Sequence, residues 1–129
     1  MPFNLLIVDD SAAIRKILQR LLLKTDMPIG RIYEAADGNE ALMVLKTNNV
    51  SLVLTDINMP NMDGLQLLSQ IRANAEWEEI PVVLITTEGS QAKVMEAAHR
   101  GATGYVRKPF TPEQINGVMA GLTLRPVSH

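Results

Sequence analysis

The chain has no cysteine in its 129 residues. That excludes a disulfide framework, a thiolate nucleophile and a zinc–thiolate site, and it fits a reducing compartment. An excess of one charge is also lacking: 12 Lys and Arg stand against 14 Asp and Glu, for a formal net charge of −2. Without a basic stripe, direct nucleic-acid binding is not expected. The opening Met1-Pro2-Phe3-Asn4 leads into a short apolar run broken by two aspartates. Such a start reads neither as a signal peptide nor as a bilayer span. There is no Walker or dinucleotide glycine pattern and no internal repeat. The expectation is a cytoplasmic protein without membrane insertion.

What the chain does have is apolar content, 47% of its residues, enough for one domain with a real core. Four short apolar runs end in polar residues: Leu5–Val8 into Asp9-Asp10, Ser51–Thr55 into Asp56, Val82–Ile85 into Thr86-Thr87, and Gly104–Val106 toward Lys108-Pro109. A fifth, more mixed run is Arg31–Ala35. Between the runs the apolar period becomes helical. Ile14, Ile17, Leu18, Leu21 and Leu22 form one stripe, and Ile115, Val118, Met119 and Leu122 form another. Ala41, Leu42 and Leu45, then Leu65, Leu68 and Ile71, then Val94, Ala97 and Ala98 mark three more helices with one apolar face each.

Alternating strands and helices imply an α/β domain in which a parallel sheet is covered on both faces by right-handed crossovers. The continuous apolar runs at Leu5 and Val82 suit interior strands, and the mixed run at Tyr33 suits an edge. Ligands of doubly wound sheets lie beyond the carboxyl ends of the strands, where the winding reverses. With the first and third strands adjacent there, Asp9, Asp10 and Asp56 converge. Three carboxylates repel by about 4 kcal/mol per pair at about 4 Å and an effective dielectric near 20, so a cation is expected among them. Mg²⁺, or Mn²⁺ in its place, suits such oxygen donors. Asp10 and Asp56 are the expected direct ligands, with Asp9 acting through a water and the Asn58 backbone carbonyl completing the set. An ionised aspartate is also a competent nucleophile toward phosphorus. Asp56 is the expected phosphoacceptor.

Asp9-Asp10, the segment Thr55-Asp56-Ile57-Asn58-Met59-Pro60-Asn61-Met62-Asp63-Gly64, Thr86, and Tyr105-Val106-Arg107-Lys108-Pro109-Phe110 together resemble the response-regulator receiver domain. The resemblance covers almost the whole chain. It is nearest the stand-alone chemotaxis branch, because Asn58 and Glu88 follow the acceptor and the threonine at that branch's offsets. It implies a single doubly wound, flavodoxin-like (CheY-like) sheet of five strands with five flanking helices. The strand order 2-1-3-4-5 is carried over with the family, which is itself a standard example of that order. The resemblance implies that a sensor histidine kinase, CheA-like in the chemotaxis branch, donates a phosphoryl group to Asp56. Lys108 then pairs with a phosphoryl oxygen, Thr86 turns its hydroxyl toward another, and Tyr105 rotates inward, which makes a bistable switch. A cis Lys108-Pro109 bond is implied as well. The output surface is expected on helix four, strand five and helix five, residues 90–100, 103–106 and 111–122, for a flagellar motor switch protein or a histidine phosphotransfer domain. Self-phosphorylation and acyl-phosphate hydrolysis are the only chemistry expected, so the chain is not an enzyme in the usual sense. The receiver is expected over residues 1–124, with 125–129 as a short tail. A phosphorelay intermediate and a receiver cut from a larger regulator are the alternatives.

One residue departs from the family pattern: Thr87 stands where a small residue is common. Its branched side chain is expected to crowd the attacking water and slow loss of the phosphoryl group, while Asn58 and Glu88 are placed to orient that water. Taken singly, each residue also has a plain structural use. Asp9 and Asp10 could end a strand and cap a helix, Asp56 could open the Pro60–Gly64 turn, and Lys108 could be solvated. Thr86 and Thr87 suit a strand end by propensity alone, and Tyr105 could simply pack. The functional reading rests on all of them falling at one edge. Met43, Met95 and Met119 read as packing residues, His99 and His129 as residues without chemistry, and Trp77 as lying at the far end of the sheet from Asp56. Two other classes fit less well. A haloacid dehalogenase-type phosphatase needs an acid at position 58, where asparagine cannot donate the proton. A flavodoxin-type cofactor binder needs a phosphate-wrapping loop where Asp9-Asp10-Ser11 would repel it.

Overall fold

The computed structural model describes residues 2–122. The five apolar runs are the strands β1 (Phe3–Val8), β2 (Ile29–Ala35), β3 (Leu52–Thr55), β4 (Val82–Thr86) and β5 (Gly104–Arg107). They pair in parallel in the order β2-β1-β3-β4-β5. The helices α1 (Ala12–Leu23), α2 (Gly38–Thr47), α3 (Gly64–Ala73), α4 (Gln91–His99) and α5 (Pro112–Ala120) alternate with them. The expected class, order and element count are all observed. β2 starts two residues before the apolar run that announced it, with Phe3 aligned to Ile29.

The two-residue period of the strands divides the core into layers. Leu5 and Ile7 of β1, Leu52 and Leu54 of β3, and Val83 and Ile85 of β4 face α1 and α5, where Leu18, Leu22, Ile115 and Met119 cover them. Leu6, Val8 and Val53 face the other way, against Ala41 and Leu45 of α2 and Leu67, Leu68 and Ile71 of α3. A third cluster of Ile57, Leu65, Leu84 and Ala97 joins α3 and α4 over β4. β1, β3 and β4 are therefore apolar on both faces, as interior parallel strands require.

Each helix begins on a side chain that accepts a backbone N–H three residues on: Ser11, Asp37, Asp63, Ser90 and Thr111. Asp63 with Gln66 and Thr111 with Gln114 close full capping boxes. Ser11 is the cap of α1, so the capping use of Asp10 is not realised. Three packing expectations need correction. Ile17 lies at the margin of the α1 stripe and is 43% exposed. In α4 only Ala97 is buried, and Val94 and Ala98 face outward. Met119 is a core residue, but Met43 and Met95 are exposed, at 61% and 54%. Trp77 packs beside Val82 at the start of β4, away from the edge that Asp56 ends. The expected tail, 125–129, lies outside the described residues. None of the described helices is long and apolar enough to cross a membrane.

Candidate functional site

Strand register builds the site. Val8 is aligned with Thr55, and Thr55 with Leu84, so the residue after β1 and the residue after β3 emerge side by side. Their backbones are tied across the edge: Asp56 N donates to Val8 O at 2.9 Å, and Asp9 N donates to Ala35 O at 3.0 Å. One carboxylate oxygen from each of Asp9, Asp10 and Asp56 lies within 4.8 Å of the others. Asp9 is 2% exposed and Asp56 9%, while Asp10 faces solvent. The pocket is thus floored by two buried acids and open beside the third.

Lys108 reaches the floor from the end of β5. Lys108 N donates to Thr86 O at 2.8 Å, and the Lys108-Pro109 peptide is cis. The ammonium lies 2.7 Å from Asp9 Oδ2 and 3.0 Å from Asp56 Oδ2. Burial works against the charge of Lys108, but its hydrogen bonds to Asp9 and Asp56 and their negative charges outweigh burial, so its pKa is raised. The remaining oxygens have backbone donors: Ser11 N to Asp9 Oδ1 at 2.8 Å and Ile57 N to Asp56 Oδ1 at 2.7 Å. Three carboxylates against one ammonium in contact leave two negative charges, which suit a hard divalent cation with oxygen ligands.

Around this centre Thr86 is fully buried, with its hydroxyl accepting from Glu88 N at 3.2 Å. Tyr105 is half-buried and its hydroxyl donates to the Glu88 carbonyl, so the ring is tied to the loop between β4 and α4. Burial, and then the charge of Glu88, raise the Tyr105 pKa. The Asn58 amide is 3.5 Å from Glu88 Oε1, which brings the two expected water-orienting residues together across the mouth. Thr87 is exposed.

Several contributors escaped the sequence reading. Gly64 must be glycine for a physical reason: an added Cβ would lie 1.9 Å from the Asp56 carbonyl oxygen. Arg15 donates to the Asp9 carbonyl and pairs with Glu34 at 2.9 Å, which fixes the strand end that carries the acids. Asp37 caps α2 and also accepts from Asn61 Nδ2 at 2.7 Å. The Glu40 N–H and then the Asn61 amide lower the Asp37 pKa. An Asp-Gly before a periodic helical run was a visible cap signal for Asp37. Nothing in the sequence pointed to its pairing with Asn61, 24 residues away.

Residues 5–120 match the family model described as the response regulator receiver domain. A chemotaxis protein, CheY-3 of Vibrio cholerae serotype O1, is 44% identical over 108 residues, which span 84% of this chain and 82% of that one. The solved structure of the chemotaxis response regulator CheY4 of Vibrio cholerae superposes with a TM-score of 0.83 at 32% identity, covering 93% of this chain and 98% of that one. A CheX-CheY-BeF3-Mg²⁺ complex from Borrelia burgdorferi gives a TM-score of 0.83 at 32% identity, covering 92% of this chain and 87% of its match.

Proposed function

The chain belongs to the response regulator receiver family as a CheY-type receiver of two-component signalling, and on that premise we propose that Asp56 is its phosphoacceptor. The single observation that carries this reading is the Lys108 ammonium, which touches both Asp9 and Asp56 at the floor of an acidic pocket. An ammonium at that point lies against the attacking carboxylate and stands ready to accompany a phosphoryl oxygen.

A carboxylate oxygen of Asp56 attacks the phosphorus of a phosphohistidine in a sensor histidine kinase, CheA-like in the chemotaxis branch. The P–O bond forms, the P–N bond breaks, and the imidazole nitrogen leaves with its electron pair and takes a proton. Asp10, Asp56 and the Asn58 carbonyl would hold Mg²⁺ or Mn²⁺, with Asp9 acting through a water. The bound cation supplies charge neutralisation at the phosphoryl oxygens. Ile57 N orients the other Asp56 oxygen. Discharge is a separate hydrolysis: water adds to phosphorus and gives up a proton, the acyl P–O bond breaks, inorganic phosphate leaves and the Asp56 carboxylate returns. Asn58 and Glu88 orient that water, and Thr87 narrows its approach.

The signal leaves through Thr86 and Tyr105. Tyr105 is already bonded to the loop that follows Thr86, so withdrawal of the Thr86 hydroxyl from Glu88 N alters the anchorage of the ring. The α4–β5–α5 face carries the output, supported by exposed Val94 and Met95 on α4. Identity to chemotaxis proteins favours a flagellar motor switch protein over a histidine phosphotransfer domain as the partner. Location in the cytoplasm accords with that partner set. The test is borohydride reduction after charging with a small phosphodonor and Mg²⁺, followed by peptide mapping. Reduction of the acyl phosphate to homoserine at position 56 supports the reading. Homoserine at another aspartate, or at none, contradicts it.

A further inference from the structure

We propose that Asp37 and Asn61 are positioning residues for divalent-cation binding: together they fix the loop, residues 57–63, that carries the Asn58 carbonyl. The inference rests on the metal centre proposed above. A backbone carbonyl has no rotamers, so only the path of the chain sets where it points. Mg²⁺ and Mn²⁺ hold their ligands to near-octahedral geometry, and groups beyond the ligands tune affinity by fixing them.

The base of this loop is anchored locally. Ile57 N donates to Asp56 Oδ1 at 2.7 Å, and Gly64 N to Ile57 O at 2.8 Å. The tip is not. Asn61 sits at φ +67°, the left-handed conformation that few residues other than glycine and asparagine adopt readily. Its amide is held by Asp37 Oδ2 at 2.7 Å. The other Asp37 oxygen accepts from Glu40 N at 2.9 Å, so the carboxylate is fixed by the first turn of α2. Next to it Gly38 N donates to Met62 O at 3.1 Å, and the Met62 side chain lies so close to Gly38 that a Cβ there would meet it at 2.6 Å. The loop tip therefore takes its position from α2, an element that supplies no ligand. Asp37 is buried and Asn61 exposed, so the bond is shielded from competing water on the Asp37 side alone.

The test measures Mn²⁺ binding by loss of the free-ion electron paramagnetic resonance signal, using the full chain at a temperature where circular dichroism shows every variant folded. Asp37→Asn retains a good helix cap but replaces the charge-assisted bond by a neutral one that requires the Asn61 amide to turn over. Asn61→Asp sets two carboxylates together. Each is expected to weaken Mn²⁺ binding about tenfold, the low end for loss of an outer partner of a metal ligand. The double variant Asp37→Asn/Asn61→Asp restores a donor–acceptor pair and is expected to recover near-wild-type binding. Thr111→Ala, which removes the α5 capping box remote from the loop, is expected to leave binding unchanged. Single variants that bind as the wild type does, a double variant that recovers nothing, or equal weakening in Thr111→Ala would each overturn the proposal. A wild-type chain that takes up no Mn²⁺ would overturn the metal centre itself, a result distinct from any of these.

Discussion

Helices α3 and α4 meet over the same residue of β4, Leu84, yet they are held in opposite ways. α3 leaves the loop after Asp56 through a capping box and buries Gly64, Leu65, Leu67, Leu68 and Ile71. α4 starts on a simple serine cap and buries only Ala97, with Val94 and Met95 turned outward. The difference separates two tasks. α3 has Leu65, Leu67, Leu68 and Ile71 to hold it in place, whereas α4 has one buried alanine and so little burial to lose if it shifts. Under the switch proposed above, a rigid pocket would report to a surface that yields.

The largest expected effect breaks the rigid side at its start. Gly64→Ala pushes a Cβ into the Asp56 carbonyl, and a loss of more than about 4 kcal/mol, or failure to fold, is expected by chemical denaturation. The next pair compares the helices directly. Leu68→Ala in α3 should cost about 2–5 kcal/mol, whereas Val94→Ala in α4 should stay within about 0.5 kcal/mol in the same assay. Equal costs would remove the contrast between the helices.

A smaller effect concerns Lys108, which reaches the pocket floor from the end of β5. Its pKa is raised in the folded chain, so its contribution is complete below the unfolded lysine value, about 10.4. The contribution is lost as pH rises through the still higher folded value. With chelator present, stability should fall along that alkaline limb in the wild type, and Lys108→Met should flatten the limb. The smallest effect lies at the head of the loop into α4. Thr87→Ala should leave the melting temperature almost unchanged and speed acyl-phosphate loss severalfold, read by decay of the charged mass. An unchanged decay rate would show that Thr87 does not guard the water.

The legible part of this molecule was local or strictly periodic. Continuous runs gave the interior strands, two-residue alternation and helical stripes gave the layers, and acids at the ends of two runs gave the pocket once those strands were taken as neighbours. α4 was misread because its small apolar stripe of Val94, Ala97 and Ala98 satisfies the helical period without having a full sheet surface to cover. Met43 and Met95 failed for a related reason, since periodicity marks a face but not what lies opposite it. The Asp37–Asn61 bond, the Arg15 tie to the Asp9 carbonyl and the need for Gly64 all depend on separate segments approaching in space, which no window of sequence contains. The hold of Lys108 on both buried acids belongs to the same kind: residue type and position placed it at the edge, but only the fold showed which oxygens it touches.

Whether Asp56 takes a phosphoryl group is read by intact mass after incubation with Mg²⁺ and acetyl phosphate, beside Asp56→Asn and a chelator control. One added phosphoryl group is expected in the wild type and none in either control. Addition that persists in Asp56→Asn or in chelator would contradict that expectation, as would no addition to a folded wild type from either acetyl phosphate or a phosphohistidine donor.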